Sequence, residues 1–211
     1  PVQQWLAEQS RALGMWIVAG TIPLKQDEGL PGASCLVFDD QGQRVARYDK
    51  IHLFDVSVSG SEGERLYRES MATRAGEELV VVDTPAGRLG LSVCYDVRFP
   101  ELYRALVDQG AELFSIPSAF TVPTGRAHWE VLLRARAIEN QAFVLAPAQS
   151  GKHVGGRDTW GDSMVVDPWG KVMSRHSAGV GAVLVDLDRE AQLEVRAKFP
   201  SLGHRKFKIR T

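Results

Sequence analysis

The stretch "ELVVVDTPAGRLGLSVCYDVRFPELYRAL", residues 78–106, decides the fold. Two apolar runs flank "TPAG", whose proline and glycine mark a turn, so the segment opens as strand, turn, strand. Pro100 and Glu101 then suit the first turn of a helix running to about Gln109. Cys94 sits at the junction. "AELFSIP" (111–117) continues as a short buried strand, and "AHWEVLLRARAIENQ" (127–141) as a long amphipathic helix with Trp129, Leu132, Leu133 and Ala137 inward.

Outward from this centre the same reading predicts strands in "AFVLAPA", "TWGDSMVVD", "KVMSR" and "GAVLVDLD", with "DPWG" as a turn, and a last helix from Arg189 to Lys198. Towards the start, a helical pattern puts Val2, Trp5, Leu6 and Leu13 on one face, and "MWIVAGTI" (15–22) reads as a buried strand. "GASCLVFDDQGQRVARYDK" (32–50) is a hairpin signal. Residues 51–77 show no sustained period, and "SVSGSEGE" (57–64) reads as loop. Hairpins mixed with strand–helix–strand units predict a mixed sheet covered by helices, a layered α/β domain over residues 1–211. No repeat or linker divides it.

Composition narrows the function. A formal net charge of -1 gives no reason to expect a nucleic-acid partner. The basic "GHRKFKIR" (203–210) reads as a solvated tail or docking strand. No apolar run approaches the ~20 residues that span a bilayer, and the opening residues lack a secretory pattern. Two cysteines supply no disulfide framework, which favours a reducing, cytoplasmic setting. The five histidines have no metal-ligand spacing, and no phosphate- or dinucleotide-binding glycine motif is present, so neither metal nor cofactor is expected.

Cys94 stands where a buried strand ends and a helix is about to begin, the place where open α/β sheets put ligands. Nearby backbone N–H groups and a helix N-terminus favour thiolate there. Packing is the competing reading, because cysteine is among the most buried residue types. Cys35, inside "ASCLVF", is assigned to the core. Lys50 ends one strand just before the apolar "IHLF", which suits an ammonium held in a partly dry cleft to meet an oxyanion. Glu69 in "YRES" can pair with that lysine or relay protons, or be an ordinary loop carboxylate.

"RYDKIHLFDV", "YRES", "CYDVRFPELYR", "TGRAHWEVLLRARAIENQ" and "DSMVVDPWG", in this order, resemble the carbon–nitrogen hydrolases of the nitrilase superfamily over essentially the whole chain. The resemblance implies a four-layer α-β-β-α sandwich that pairs into homodimers or larger assemblies. It implies that Cys94 attacks an amide carbonyl, forms a thioester and expels ammonia, after which water hydrolyses the thioester. Lys50 and the backbone N–H of Tyr95 would hold the oxyanion, and Glu69 would orient Lys50. Arg98 is expected either to grip a substrate carboxylate or to form an ion pair, for instance with Asp96. Phe120 either lines the pocket or packs in the core. His128 and Glu130, at the start of the long helix, are expected either to take a buried structural role or to support the site residues.

The family's first glutamate, its general base, lies on a strand upstream of the lysine. No equivalent is found here, since Glu8 lies on the opening helix, so an N-terminally incomplete domain is expected. Within the family, "CYDVRFPE" resembles the amidase branches. "AQSGKH" and "RDTWGDSMVVDPWG" are closest to the branch acting on deaminated glutathione, ahead of the ω-amidase and N-carbamoyl amino acid branches. A scaffold without catalysis is the alternative from another class.

Overall fold

The computed structural model describes residues 1–25, 29–60, 63–154 and 156–207. The last residues of the basic C-terminal cluster lie outside them. In chain order the elements are α1 (Val2–Leu13), β1 (Ile17–Leu24), β2 (Gly32–Phe38), β3 (Arg44–Asp49), β4 (Asp55–Gly60) and β5 (Gly63–Arg68). Then come β6 (Val81–Thr84), β7 (Gly87–Leu91), α2 (Pro100–Asp108), β8 (Leu113–Ser115), α3 (Val122–Asn140) and β9 (Phe143–Ala146). The chain continues through β10 (Ser150–Lys152), β11 (Asp158–Trp160), β12 (Ser163–Val166), β13 (Val172–His176) and α4 (Arg189–Lys198).

Four layers follow from which side chains meet. Strands β1, β2 and β3 form one antiparallel sheet, and a six-stranded sheet runs β13-β12-β9-β8-β7-β6. Period two sends alternate residues of each strand to opposite faces. Leu89, Leu91, Leu113 and Phe143 of the large sheet accordingly meet Cys35, Val37 and Tyr48 of the small one, which makes the sheet-on-sheet core. Phe114, Val144, Met164 and Val166 point the other way, onto Leu102, Tyr103 and Leu106 of α2 and Trp129, Leu133 and Ala137 of α3. On the far side of the small sheet, Leu6 of α1 packs on Leu36 and Phe38. The order is helix, sheet, sheet, helix, as the resemblance implies. Each large side chain so buried contributes about 1.5–3 kcal/mol.

Four expectations need correction. Helix α1 turns Leu6 and Ser10 inward and leaves Trp5 57% and Leu13 61% exposed. Ser10 wins its buried place by hydrogen bonding, its hydroxyl lying 2.5 Å from the Met15 carbonyl and also against the Asp39 carbonyl, with one proton to share between them. The segment expected to be loop carries the β4–β5 hairpin, in which Val56 and Val58 alternate with Ser57 and Ser59 and Val56 pairs with Tyr67. "GAVLVDLD" (181–188) forms no strand; it runs without ladder partners, although Leu187 still reaches the inter-sheet core. "MWIVAGTI" gives β1, but with alternating exposure rather than full burial.

Strands β7, β8 and β9 are parallel, joined by α2 and α3, so their carboxyl ends lie side by side. Backbone bonds extend that alignment past the strands: Cys94 N–H to the Pro117 carbonyl (3.0 Å), Ser118 N–H to Pro147 (2.9 Å) and Gln149 N–H to Ser118 (2.9 Å).

Candidate active site

The carboxyl edge of these three strands floors a cavity of about 780 Å³. Cys94, Ser118 and Gln149 come from the ends of β7, β8 and β9, Lys50 from the end of β3, and Glu69 from the turn after β5.

Cys94 opens a short 3₁₀ turn, Cys94–Arg98, with φ of 51°, in the left-handed region that few non-glycine residues occupy. Its N–H is tied to Pro117 and its side chain is half-buried. Non-glycine residues in this conformation store strain and are held by their surroundings. The Lys50 side chain is almost fully buried, and its Nζ lies 2.5 Å from Glu69 Oε2. The same oxygen accepts the Phe54 N–H at 2.7 Å, which fixes the carboxylate on the lysine.

Burial pushes the Cys94 thiol above its ordinary value; the Lys50 charge and the Ala119 N–H pull it back, while the Glu69 and Asp96 carboxylates push it up. This direction runs against the expected shift towards thiolate, which the Lys50 charge and the Ala119 N–H favour. Desolvation of the sulfur outweighs the pull of the Lys50 ammonium.

Tyr95 and Phe120 both line the cavity. Phe120 is also buried against Trp129, ring centroids 4.8 Å apart, so its two expected roles coincide. Arg98 is not among the lining residues. Its guanidinium lies over the Phe120 ring (5.3 Å) and the Tyr95 ring (5.7 Å), with Nη1 3.2 Å from His128 Nδ1. It forms no pair with Asp96, because both Asp96 oxygens are taken elsewhere. His128 is exposed rather than buried, and Glu130 is paired at the surface with Arg134 and Arg175. Cys35 is fully buried between the sheets, with its thiol pushed up to about 12 by desolvation.

Several residues escaped the sequence reading. Buried Asp96 accepts from Tyr48 Oη (2.7 Å), the Val93 N–H (2.8 Å), the His52 N–H (3.0 Å) and His52 Nδ1 (2.8 Å). It thereby ties residues flanking Lys50 to the residue preceding Cys94. Arg68 and Arg157 line the cavity, as do Thr121 and Thr124 at the start of α3. Among the described residues Glu69 is the one carboxylate lining it, and Glu8 instead accepts from Gln4 on an exposed face of α1.

A cysteine, a buried lysine and a carboxylate meet at the carboxyl edge of a sandwiched sheet, an arrangement suited to acyl transfer, and among the described residues no group of side chains could hold a metal ion. The carbon-nitrogen hydrolase family model matches residues 1–197, and the chain belongs to that family. It is 49% identical over 209 residues to the deaminated glutathione amidase of Yersinia enterocolitica, covering 98% of this chain and 72% of that protein. Among solved structures, the Caenorhabditis elegans NitFhit protein superposes with a TM-score of 0.90 at 43% identity; the match covers 97% of this chain and 50% of that one. Saccharomyces cerevisiae Nit3, a member of branch 10 of the nitrilase superfamily, superposes with a TM-score of 0.86 at 30% identity, covering 97% of this chain and 71% of that one.

Proposed function

We propose that the protein is an amidase that hydrolyses deaminated glutathione through a thioester on Cys94. The observation that carries this is the convergence of Cys94, Lys50 and Glu69 on one cavity, in a chain 49% identical to a deaminated glutathione amidase. The Cys94 sulfur forms a bond to the amide carbon, and the Lys50 ammonium, with the Tyr95 N–H, receives the charge on the oxygen. The proton that the thiol gives up passes by way of Glu69 to the amide nitrogen, and the C–N bond breaks as the amine departs. Water attacks the thioester carbon, the C–S bond breaks, and the thiol is restored. Glu69 holds Lys50 in place throughout and relays protons.

The leaving group differs from the ammonia expected at first. Ammonia leaves a primary amide, whereas the amide nitrogen of deaminated glutathione belongs to cysteinylglycine, so that dipeptide departs and 2-oxoglutarate is the acid product. Supplying deaminated glutathione and α-ketoglutaramate in parallel and following 2-oxoglutarate tests the reading. Faster release from deaminated glutathione, abolished in Cys94→Ala, is the expected result; preference for α-ketoglutaramate makes the protein an ω-amidase, and release of amine from N-carbamoyl amino acids alone refutes both.

The enzyme is further proposed to work in the cytoplasm as a homodimer. Two unpaired cysteines suit a reducing compartment, and Trp169, Phe199 and Phe207 present exposed aromatic surface towards the C-terminus. Light scattering after gel filtration reads the assembly directly.

A further inference from the structure

The cavity holds four charged side chains among the described residues: Lys50, Arg68, Glu69 and Arg157. Lys50 and Glu69 neutralise each other. Arg68 is exposed; it faces Asp55 in strand register, and after the hydrogen bonds from Ser70 its charge adds the smallest part of what holds that carboxyl below its ordinary value. Arg157 is the more enclosed of the two arginines. It is half-buried, and among the described residues its guanidinium has no hydrogen bond and no ion pair. Ser118, Thr121, Thr124 and Gln149, which line the same cavity, are all neutral.

Its backbone is held firmly. The Arg157 carbonyl accepts the His153 N–H at 2.8 Å across the β10–β11 hairpin, and His153 Nε2 lies 2.7 Å from Thr159 Oγ1. The hairpin is joined to the cavity wall through the Trp160 N–H to the Phe120 carbonyl (2.9 Å) and a bridge between Thr121 and Thr159. A partly desolvated guanidinium without a counter-charge is costly to keep, and its planar fork matches a carboxylate.

We infer that Arg157 is the receptor for the carboxylate on the acyl half of the substrate and sets the preference for anionic over neutral amides. This rests on the proposed amidase reading and deepens it. The acyl half stays bound to Cys94 after the first step, so its carboxylate belongs with the more enclosed arginine. The leaving half must exit past the rim, where Arg68 stands.

Binding tests this without turnover. The Cys94→Ala protein is titrated calorimetrically with 2-oxoglutarate, alone and combined with Arg157→Gln or Arg157→Lys. Loss of a charged, bidentate contact is expected to weaken binding about 10–100-fold in Arg157→Gln, with part of it recovered in Arg157→Lys. In the catalytically intact protein, the ratio of kcat/KM for glutaramate over pentanamide falls by a similar factor in Arg157→Gln. Equal affinity in all three proteins, or no binding by the Cys94→Ala protein, overturns the inference. Hydrolysis of deaminated glutathione with affinity independent of Arg157 sinks this inference alone. Binding that depends on Arg157, without hydrolysis of deaminated glutathione, sinks the substrate reading instead.

Discussion

The hydroxyl of Tyr48 donates to the carboxylate of Asp96 at 2.7 Å, inside a core where neither side chain meets solvent. Tyr48 lies two residues before Lys50 and Asp96 two residues after Cys94, so this bond crosses from the lysine arm to the cysteine arm. Asp96 adds the His52 and Val93 N–H groups to the same clamp. Removing one side of such a network strands several buried donors. Asp96→Ala is expected to lose about 3 kcal/mol or more of unfolding free energy, and Tyr48→Phe about half that or less. Urea titration of the two variants reads the difference; equal losses would place the clamp elsewhere.

Alkylation of Cys94 by iodoacetamide should follow thiolate formation at a pH above the ordinary thiol range, because burial dominates the shift. Lys50→Met removes the attraction that opposes burial and moves the profile further up. Glu69→Gln removes a nearby negative charge and moves it down. A profile that ignores both changes would mean that neither group acts on the sulfur.

Alkali should destabilise the fold through Cys35. Its thiol is raised to about 12 in the native state, against about 8.5 in an unfolded chain. The native state therefore keeps a proton that the unfolded state releases, and the stability this gives is full below the unfolded value and is lost as pH rises towards the native one. From pH 8.5 upward Cys35 costs about 1.4 kcal/mol per pH unit. Cys94, shifted the same way, adds to it. Denaturation curves at pH 8 and pH 10 should differ clearly less in Cys35→Ala than in the parent.

The two arginines near the site should separate by phenotype. Arg98 stacks on Phe120 and Tyr95 and touches His128, so Arg98→Ala is expected to cost about 0.5–2 kcal/mol of stability. Its effect on KM for anionic amides should be smaller than that of Arg157→Gln. The reverse order in KM would return the carboxylate to Arg98.

Much of this was legible in the chain itself. The strand–turn–strand at residues 78–93 and the helix from Pro100 carry strong local signals, since proline, glycine and β-branched runs act within a few residues. The β4–β5 hairpin was missed because serine and glycine mask an alternation that two valines still mark. Strand formation in "GAVLVDLD" failed for the opposite reason: its apolar content is sufficient, but a strand exists only where a neighbour offers a ladder. The face of α1 was misjudged because Ser10, a polar residue satisfied by two carbonyls, takes the inner position that hydrophobicity alone gives to Trp5.

At the site, Cys94, Lys50 and Glu69 were each readable as ambiguous residues, and their order in the chain made them candidates. Asp96 and Arg157 were not. The role of Asp96 depends on partners 44 to 48 positions away, and Arg157 stands out by being half-buried in the cavity wall without a partner among the described residues, which no sequence displays.

The account stands on an acyl bond to Cys94. Deaminated glutathione should be mixed with the enzyme, quenched in acid at short times, digested and analysed by mass spectrometry. The prediction is a 2-oxoglutaryl adduct on the peptide that contains Cys94, absent from Cys94→Ala, which also loses turnover. Continued hydrolysis by Cys94→Ala, or an adduct on any other residue, would contradict it.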